Sequence, residues 1–298
     1  MSQELRVLVA LVVALLGLEA AARVFETRLS KDVAHLRSLA AEAERLRTAP
    51  AESLKVLILG NSLAREGLDR DLLRKGLEAQ TGRRAVLAAM TPDASRIEEW
   101  LYGYRRHFDQ SGAKPDLVLL CTGRAHLLDG LRDLDALAAF HVSWRDLPGF
   151  VVEQGLGVGE VCQAAAARVS RLFAHRRRVQ PLLFYHAMPR YEATVNLIQA
   201  SAQRVARNVV ATESTRRLAA LLETCRAGGV RVVVVPVPLP EAYELPDAVR
   251  LASSTKGVTV LGQPLRLPSE YYYDGYHLNR QGADEWTRMV VSNPLWSN

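Results

Sequence analysis

Short aliphatic runs recur along this chain, separated by stretches with helical patterning. Leu54–Leu59 (Leu-Lys-Val-Leu-Ile-Leu), residues 86–89, 117–121 and 230–235 are apolar at nearly every position, and 258–261 repeats the pattern more weakly. Residues 230–235 include five valines. A strand that is apolar on both faces must be covered on both faces. Strands of that kind alternating with helices predict a parallel sheet between two helical layers. Helices are expected over 69–79 with Gly82 as the stop, over 95–108, over 215–227 closed by Gly228-Gly229, and over 282–291. The fold class expected is therefore α/β with about five parallel strands. Sheets of this type bind ligands beyond the carboxyl ends of their strands.

Two stretches depart from this rhythm. Residues of about 127–211 read as a largely helical insertion over one edge or over the site, within a domain spanning 51–298. At the other end, residues 7–18 form an uninterrupted apolar run. Ala20–Ala22, Val24 and Phe25 extend it past Glu19 toward the ~20 residues that a spanning helix requires. Residues 1–26 are read as an uncleaved, single-pass signal anchor in preference to a cleaved signal peptide. Residues 27–50 are expected to be a helical stalk, with Val33, Leu36, Leu39 and Leu46 among Ala, Glu and Arg, ended by Pro50. Arg6 precedes the apolar run, whereas Arg23, Arg28 and Lys31 follow it, so the positive-inside count favours a cytoplasmic main domain.

The net charge of +6 suits acidic partners or anionic membrane surfaces. No Gly-rich phosphate loop, zinc-finger spacing or RNA-binding aromatic motif accompanies the arginines, so nucleic acid is not an expected partner. Cys121, Cys162 and Cys225 are expected to be small buried hydrophobes rather than a disulfide framework. The histidines at 35, 107, 141, 175 and 186 show no paired metal-ligand spacing, and neither a metal nor a cofactor is expected.

Two short segments carry chemistry. Gly60-Asn61-Ser62 follows the first strand directly and leads into a helix, which places the Ser62 hydroxyl at the carboxyl edge of the sheet. Backbone N–H groups near Ser62 then face a developing oxyanion. Asp274-Gly275-Tyr276-His277 lies just before the last helix, with Asn279 as its N-cap. A serine hydroxyl is a weak nucleophile until an imidazole takes its proton, and the imidazole needs a carboxylate to set its tautomer. Asp274 and His277, three residues apart, can supply that pair on one turn.

Together these segments resemble the SGNH hydrolase family, whose first block reads Gly-Asp-Ser and whose last reads Asp-x-x-His. The resemblance covers the sheet-forming segments from about residue 54 onward. It implies a three-layer, flavodoxin-like fold and ester chemistry through Ser62, Asp274 and His277. Asn61 stands where the family has Asp, keeping the shape and losing the charge. The second family block offers a Gly, whereas 88–92 (Ala-Ala-Met-Thr-Pro) has none. The third reads Gly-x-Asn-Asp, whereas this chain has Gly123-Arg124-Ala125-His126 and so lacks the donor amide. Loss of one oxyanion donor typically costs about 2.7–4 kcal/mol of transition-state stabilisation. Asn61, Gly123 and Arg124 are the candidates for oxyanion or substrate binding, with Arg65 and His126 as further possible donors.

Intact outer blocks, altered middle blocks and an N-terminal anchor are similar to membrane-anchored SGNH proteins of bacterial cell-surface polysaccharide acylation. That resemblance implies an extracytoplasmic domain, against the charge count. It also implies an acylated carbohydrate or acyl donor as substrate, and a multi-spanning membrane acyltransferase as partner. The function expected is acyl transfer or ester hydrolysis through an acyl-Ser62 intermediate. A lipid or small-ester hydrolase and a catalytically silent scaffold remain as alternatives. Tyr271–Tyr273 suit either a sugar or acyl groove or the core, and Arg176–Arg178 suit either anionic headgroups or a solvated face.

Overall fold

A computed structural model describes residues 2–29, 31–130, 133–176, 214–252 and 257–297. Five strands, β1 (Leu54–Leu59), β2 (Ala85–Met90), β3 (Leu117–Thr122), β4 (Arg231–Pro236) and β5 (Val258–Val260), form one sheet in the order β2-β1-β3-β4-β5. Every pairing is parallel. This is the flavodoxin-like arrangement. From β1 the chain moves outward to β2 and then returns past β1 to β3, so the direction of winding reverses between β1 and β3. A crevice opens at such a switch point beyond the carboxyl ends of the strands.

Strand alternation divides the core into two layers. Leu57, Leu59, Val118, Leu120, Val232 and Val234 face one cluster, and Val56, Ile58, Leu117, Leu119, Val233 and Val235 face the other. Helices α1 (Gln3–Leu29), α2 (Lys31–Arg47), α3 (Ser62–Gly67), α4 (Arg70–Thr81) and α5 (Ile97–Tyr104) come from the first half of the chain. Asp69 caps α4 by accepting from Leu72 N–H at 2.8 Å, and Gly82 ends it in the left-handed region at φ 65°. A wider π turn, Arg105–Asp109, extends α5. The insertion contains α6 (Leu134–Ala136), α7 (Leu147–Gln154), α8 (Val158–Val169) and α9 (Arg171–Ala174). Its expected remainder, 177–211, lies outside the described residues. Helices α10 (Arg216–Ala227), α11 (Asp247–Ala252) and α12 (Arg280–Val291) complete the chain.

α2 is not the free stalk expected over 27–50. Val33, Leu36, Leu39, Ala43 and Leu46 are buried, and all but Val33 belong to the same core cluster as Leu57 and Val118. The 3.6-residue period that suggested a helix was also marking a core-facing stripe. Glu42 fixes the packing polarity: it is buried beside the outer strand and its Oε2 accepts from Ala89 N–H at 3.0 Å. The cysteines also divide. Cys121 and Cys225 are buried as expected, but Cys162 is exposed on α8. At the start of the basic run, His175 is fully buried and Arg176 pairs with Asp135 at 2.8 Å. Arg177 and Arg178 lie outside the described residues.

Candidate active site

The end of β1 is pressed against β3, which is why residue 60 must be glycine. A Cβ there would lie 2.7 Å from the Ala64 Cβ and 3.0 Å from the Cys121 carbonyl oxygen. Close approach, rather than an unusual φ, sets the requirement. Asn61 then caps α3, its Oδ1 accepting from Leu63 N–H at 3.1 Å. Its Nδ2 donates to the Ser95 carbonyl at 3.3 Å. A carboxylate could cap the helix but could not donate, so Asn ties the Ser62 turn to the loop after β2. Both ends of the buried amide are thereby engaged in structure, and Asn61 also borders the space over Ser62.

Ser62 is the first residue of α3 and is half-buried. Its Oγ lies 2.9 Å from His277 Nε2, and His277 Nδ1 lies 2.7 Å from Asp274 Oδ2. A local hairpin builds the second half of this relay. Tyr273 N–H donates to His277 O at 3.0 Å, Asn279 N–H donates to Tyr271 O at 2.8 Å, and Tyr272 bridges Leu278 antiparallel. Gly275 takes φ 77° between them, the left-handed turn conformation that glycine adopts without strain. That turn lets Asp274 Oδ1 accept from the N–H groups of Tyr276 and His277 at 2.9 and 2.7 Å. These N–H bonds and the imidazole hold the Asp274 carboxyl down at about 2, so it is ionised at neutral pH. The carboxylate keeps the His277 proton on Nδ1, which leaves Nε2 to accept from Ser62.

Two tyrosines frame the imidazole. Tyr273 stacks on it at a centroid distance of 5.8 Å, and Tyr276 meets it edge-on at 5.5 Å. Tyr273 OH donates to Glu66, which pushes the phenol up to about 12. Of the three consecutive tyrosines, Tyr272 is buried in the core and Tyr271 packs against it. It is Tyr276, between Asp274 and His277, that lines the cavity over Ser62.

That cavity has a volume of about 540 Å³. Its walls come from Asn61–Leu63, the loop after β2 (Pro92–Arg96), Glu99, His126, Asp133, His141 and, unexpectedly, Asp32 and Leu36 of α2. α2 also shapes the loop. Asp32 Oδ1 accepts from Asp93 N–H at 2.7 Å, and His35 Nε2 accepts from Thr91 N–H at 2.9 Å. Burial, reinforced by Arg65, pushes the His35 imidazole below its ordinary range and keeps it the neutral acceptor that Thr91 needs. Arg65 donates to Thr91 O at 3.2 Å and pairs with Asp93 and Glu66. It holds the loop rather than reaching for an oxyanion.

The third block also differs from expectation. Gly123 N–H donates to His126 Nδ1 at 3.1 Å, so it is turned into its own loop. Arg124 lines a separate cavity with Thr215, Glu244 and Asp247. Neither lines the cavity over Ser62. Because His126 Nδ1 accepts, the proton of the neutral ring sits on Nε2, and this ring lines the cavity of Ser62. Ala94 is the other residue that the sequence did not disclose. Among the described residues it is the one non-glycine with positive φ, 53°, and it too lines the cavity. The stretch matched to the family's glycine block was 88–92, which has no glycine, and the left-handed position falls at 94. Among the described residues, no group of three or more His, Cys, Asp or Glu side chains is disposed to hold a metal ion.

No protein-family model and no curated protein matches this chain. Among solved structures, it is similar to the lipase Lip_vut3 from goat rumen metagenome, with 11% identity and a TM-score of 0.39 over 80% of this chain and 97% of that one. It is also similar to TesA, with 13% identity and a TM-score of 0.37 over 80% of this chain and 98% of that one.

Proposed function

We propose that this chain cleaves or transfers an ester-linked acyl group through an acyl-Ser62 intermediate. The observation that carries the reading is the unbroken relay from Ser62 Oγ through His277 to Asp274, at 2.9 and 2.7 Å. Ser62 Oγ attacks the ester carbonyl as its proton passes to His277 Nε2. The tetrahedral oxyanion collapses, the C–O bond to the leaving alcohol breaks, and His277 returns the proton to that alcohol. Water or an acceptor hydroxyl then attacks the acyl-serine. His277 takes the proton of the attacking group and gives it back to Ser62 Oγ. Asp274 stays ionised throughout and stabilises the imidazolium. Ser62 N–H at the start of α3, His126 Nε2–H and the Ala94 backbone N–H are the donors proposed for the oxyanion.

The substrate we favour is a small acyl ester, such as acetyl, on a cell-surface carbohydrate. Asp32, Asp93, Arg96, Glu99, His126 and Asp133 give the cavity a polar wall suited to hydroxyl groups. A long acyl chain would have to bury that wall without satisfying it. α1 is long and apolar enough to cross a membrane. We propose that it anchors the chain with the domain outside the cytoplasm, beside a multi-spanning acyltransferase.

A fluorophosphonate probe applied to the full chain tests the central claim. Labelling is expected, lost in Ser62→Ala and strongly reduced in His277→Ala. A folded wild-type chain that stays unlabelled would instead support a silent scaffold. Acetyl release to water compared with transfer to an oligosaccharide separates hydrolase from transferase. Protection of the domain from protease in intact cells would overturn the extracytoplasmic placement.

A further inference from the structure

The last turns of α1 are clamped to the insertion. Glu19 accepts from Ser170 Oγ at 2.7 Å and from the N–H groups of Arg171 and Leu172 at 2.9 and 3.0 Å, so a side chain of α1 caps α9. Arg23 pairs with Glu19 at 2.8 Å and donates to Val169 O at 2.7 Å. Two turns beyond Glu19, the buried Glu26 meets His175 Nε2 at 3.1 Å and pairs with Arg37. The other side of the same turns is bare: Val24 and Phe25 are 69% and 49% exposed, and the apolar side chains from Leu5 to Leu18 are exposed as well.

This clamp fixes a depth. A span needs ~20 apolar residues, which carries it from the start of α1 to about Phe25. Glu19 lies six residues before Phe25, roughly 9 Å along the axis. The corner between α8 and α9, bonded to Glu19 and Arg23, therefore sits level with the final turns of the span. Val169 is exposed at that corner. Beside it Trp144 is 62% exposed, with the Arg168 guanidinium 4.2 Å from its ring centre. An exposed indole at that corner suits the headgroup layer, where an amphipathic ring is satisfied, and the Arg168 guanidinium beneath it is held by the carbonyls of Ala138, at 2.9 Å, and Val142.

We infer that the α8–α9 corner, with Trp144 and Val169, is a second membrane contact that seats the domain on the phospholipid headgroup layer around α1. The inference rests on the reading of α1 as a membrane span. Continuity with α1, through the bonds from Glu19 and Arg23, identifies the occupant.

The four tryptophans make the test direct. Trp100, Trp286 and Trp296 are at most 3% exposed, so accessible quenching reports Trp144. The full chain is reconstituted in phosphatidylcholine–phosphatidylglycerol vesicles, with and without brominated acyl chains. Expected is co-flotation with the vesicles and bromine quenching limited to the share of one tryptophan in four. Trp144→Phe should abolish the quenching but not the flotation. Val169→Glu, with Trp144 intact, should weaken the quenching and leave Ser62 labelling in place. A chain that floats while Trp144 stays unquenched overturns the contact and leaves the anchor standing. A chain that alkaline carbonate strips from the vesicles overturns both.

Discussion

The two sides of the cavity over Ser62 are built by different means. On the activating side, Asp274 and His277 belong to one nine-residue hairpin, Tyr271 to Asn279, and their mutual geometry follows from two backbone bonds across it and one left-handed glycine. On the charge-stabilising side, loops after β2 and β3 must meet a helix that entered the fold much earlier, and their polar groups first satisfy one another. Asn61 serves α3 and Ser95, Gly123 N–H serves His126, and Arg65 serves Thr91 and Asp93. A buried polar group left unpaired costs about 1–3 kcal/mol, so groups at the mouth of a sheet are consumed by structure unless the fold protects them. A sequence block can thus mark a pair that its own turn brings together, as with Asp274 and His277, more readily than groups that several loops must bring together.

The contrast can be broken most severely from the activating side. Ser62→Ala and His277→Ala should each reduce ester turnover by about 10⁴-fold or more, because the relay works as a unit. Stopped assays with a chromogenic acetate ester would show it. Asp274→Asn should fall by about 10²–10⁴-fold, since the amide permits the wrong imidazole tautomer. The exposure of Asp274 lets water stand in for part of its role, so the smaller figure is expected.

The charge-stabilising side should respond more weakly. His126→Ala removes the proposed Nε2–H donor and should lower kcat by about 10²-fold with little change in KM. An unchanged kcat would return the oxyanion to backbone donors alone. Thermal unfolding of the same variant shows whether the loss is catalytic or follows from stranding Gly123 N–H.

Glu99 sharpens the comparison through pH. Burial pushes its carboxyl up to about 7 against an ordinary 4.5, despite the bond its Oε2 accepts from Arg96 N–H. The native state therefore keeps a proton that the unfolded chain releases between pH 4.5 and about 7. Across that window stability falls as pH rises. Glu99→Gln should raise Tm more at pH 8 than at pH 5, and equal shifts at both would show the carboxyl to be ionised. The smallest effect is expected at Ala94. Ala94→Gly relieves about 1 kcal/mol of left-handed strain, partly offset by unfolded-chain entropy, so a slight rise in Tm with unchanged probe labelling is expected.

Much of the fold was legible because its signals are local. Buried-strand runs, the Asn279 cap and the stop at Gly82 each depend on a few adjacent residues, and all three kinds of signal match the structure. Element ends moved by a residue or two, and the helix expected over 95–108 begins at Ile97 and ends in a π turn. The helix over 27–48 was legible as a helix but not as core, because periodicity gives a stripe and not the surface it meets. Nothing in the sequence flagged Ala94, since alanine carries no signature of a left-handed position.

The sequence by itself determined the sheet, the placement of Ser62 at its carboxyl edge and the pairing of Asp274 with His277, since each needs only neighbours along the chain. Only the tertiary structure decided what surrounds them. It brought His277 to within 2.9 Å of a serine 215 residues away and turned Gly123 N–H onto His126. It also laid α2 across the cavity and fastened Glu19 to α9. Those choices depend on which polar group is satisfied by which, and that competition is settled only when all of them are packed together.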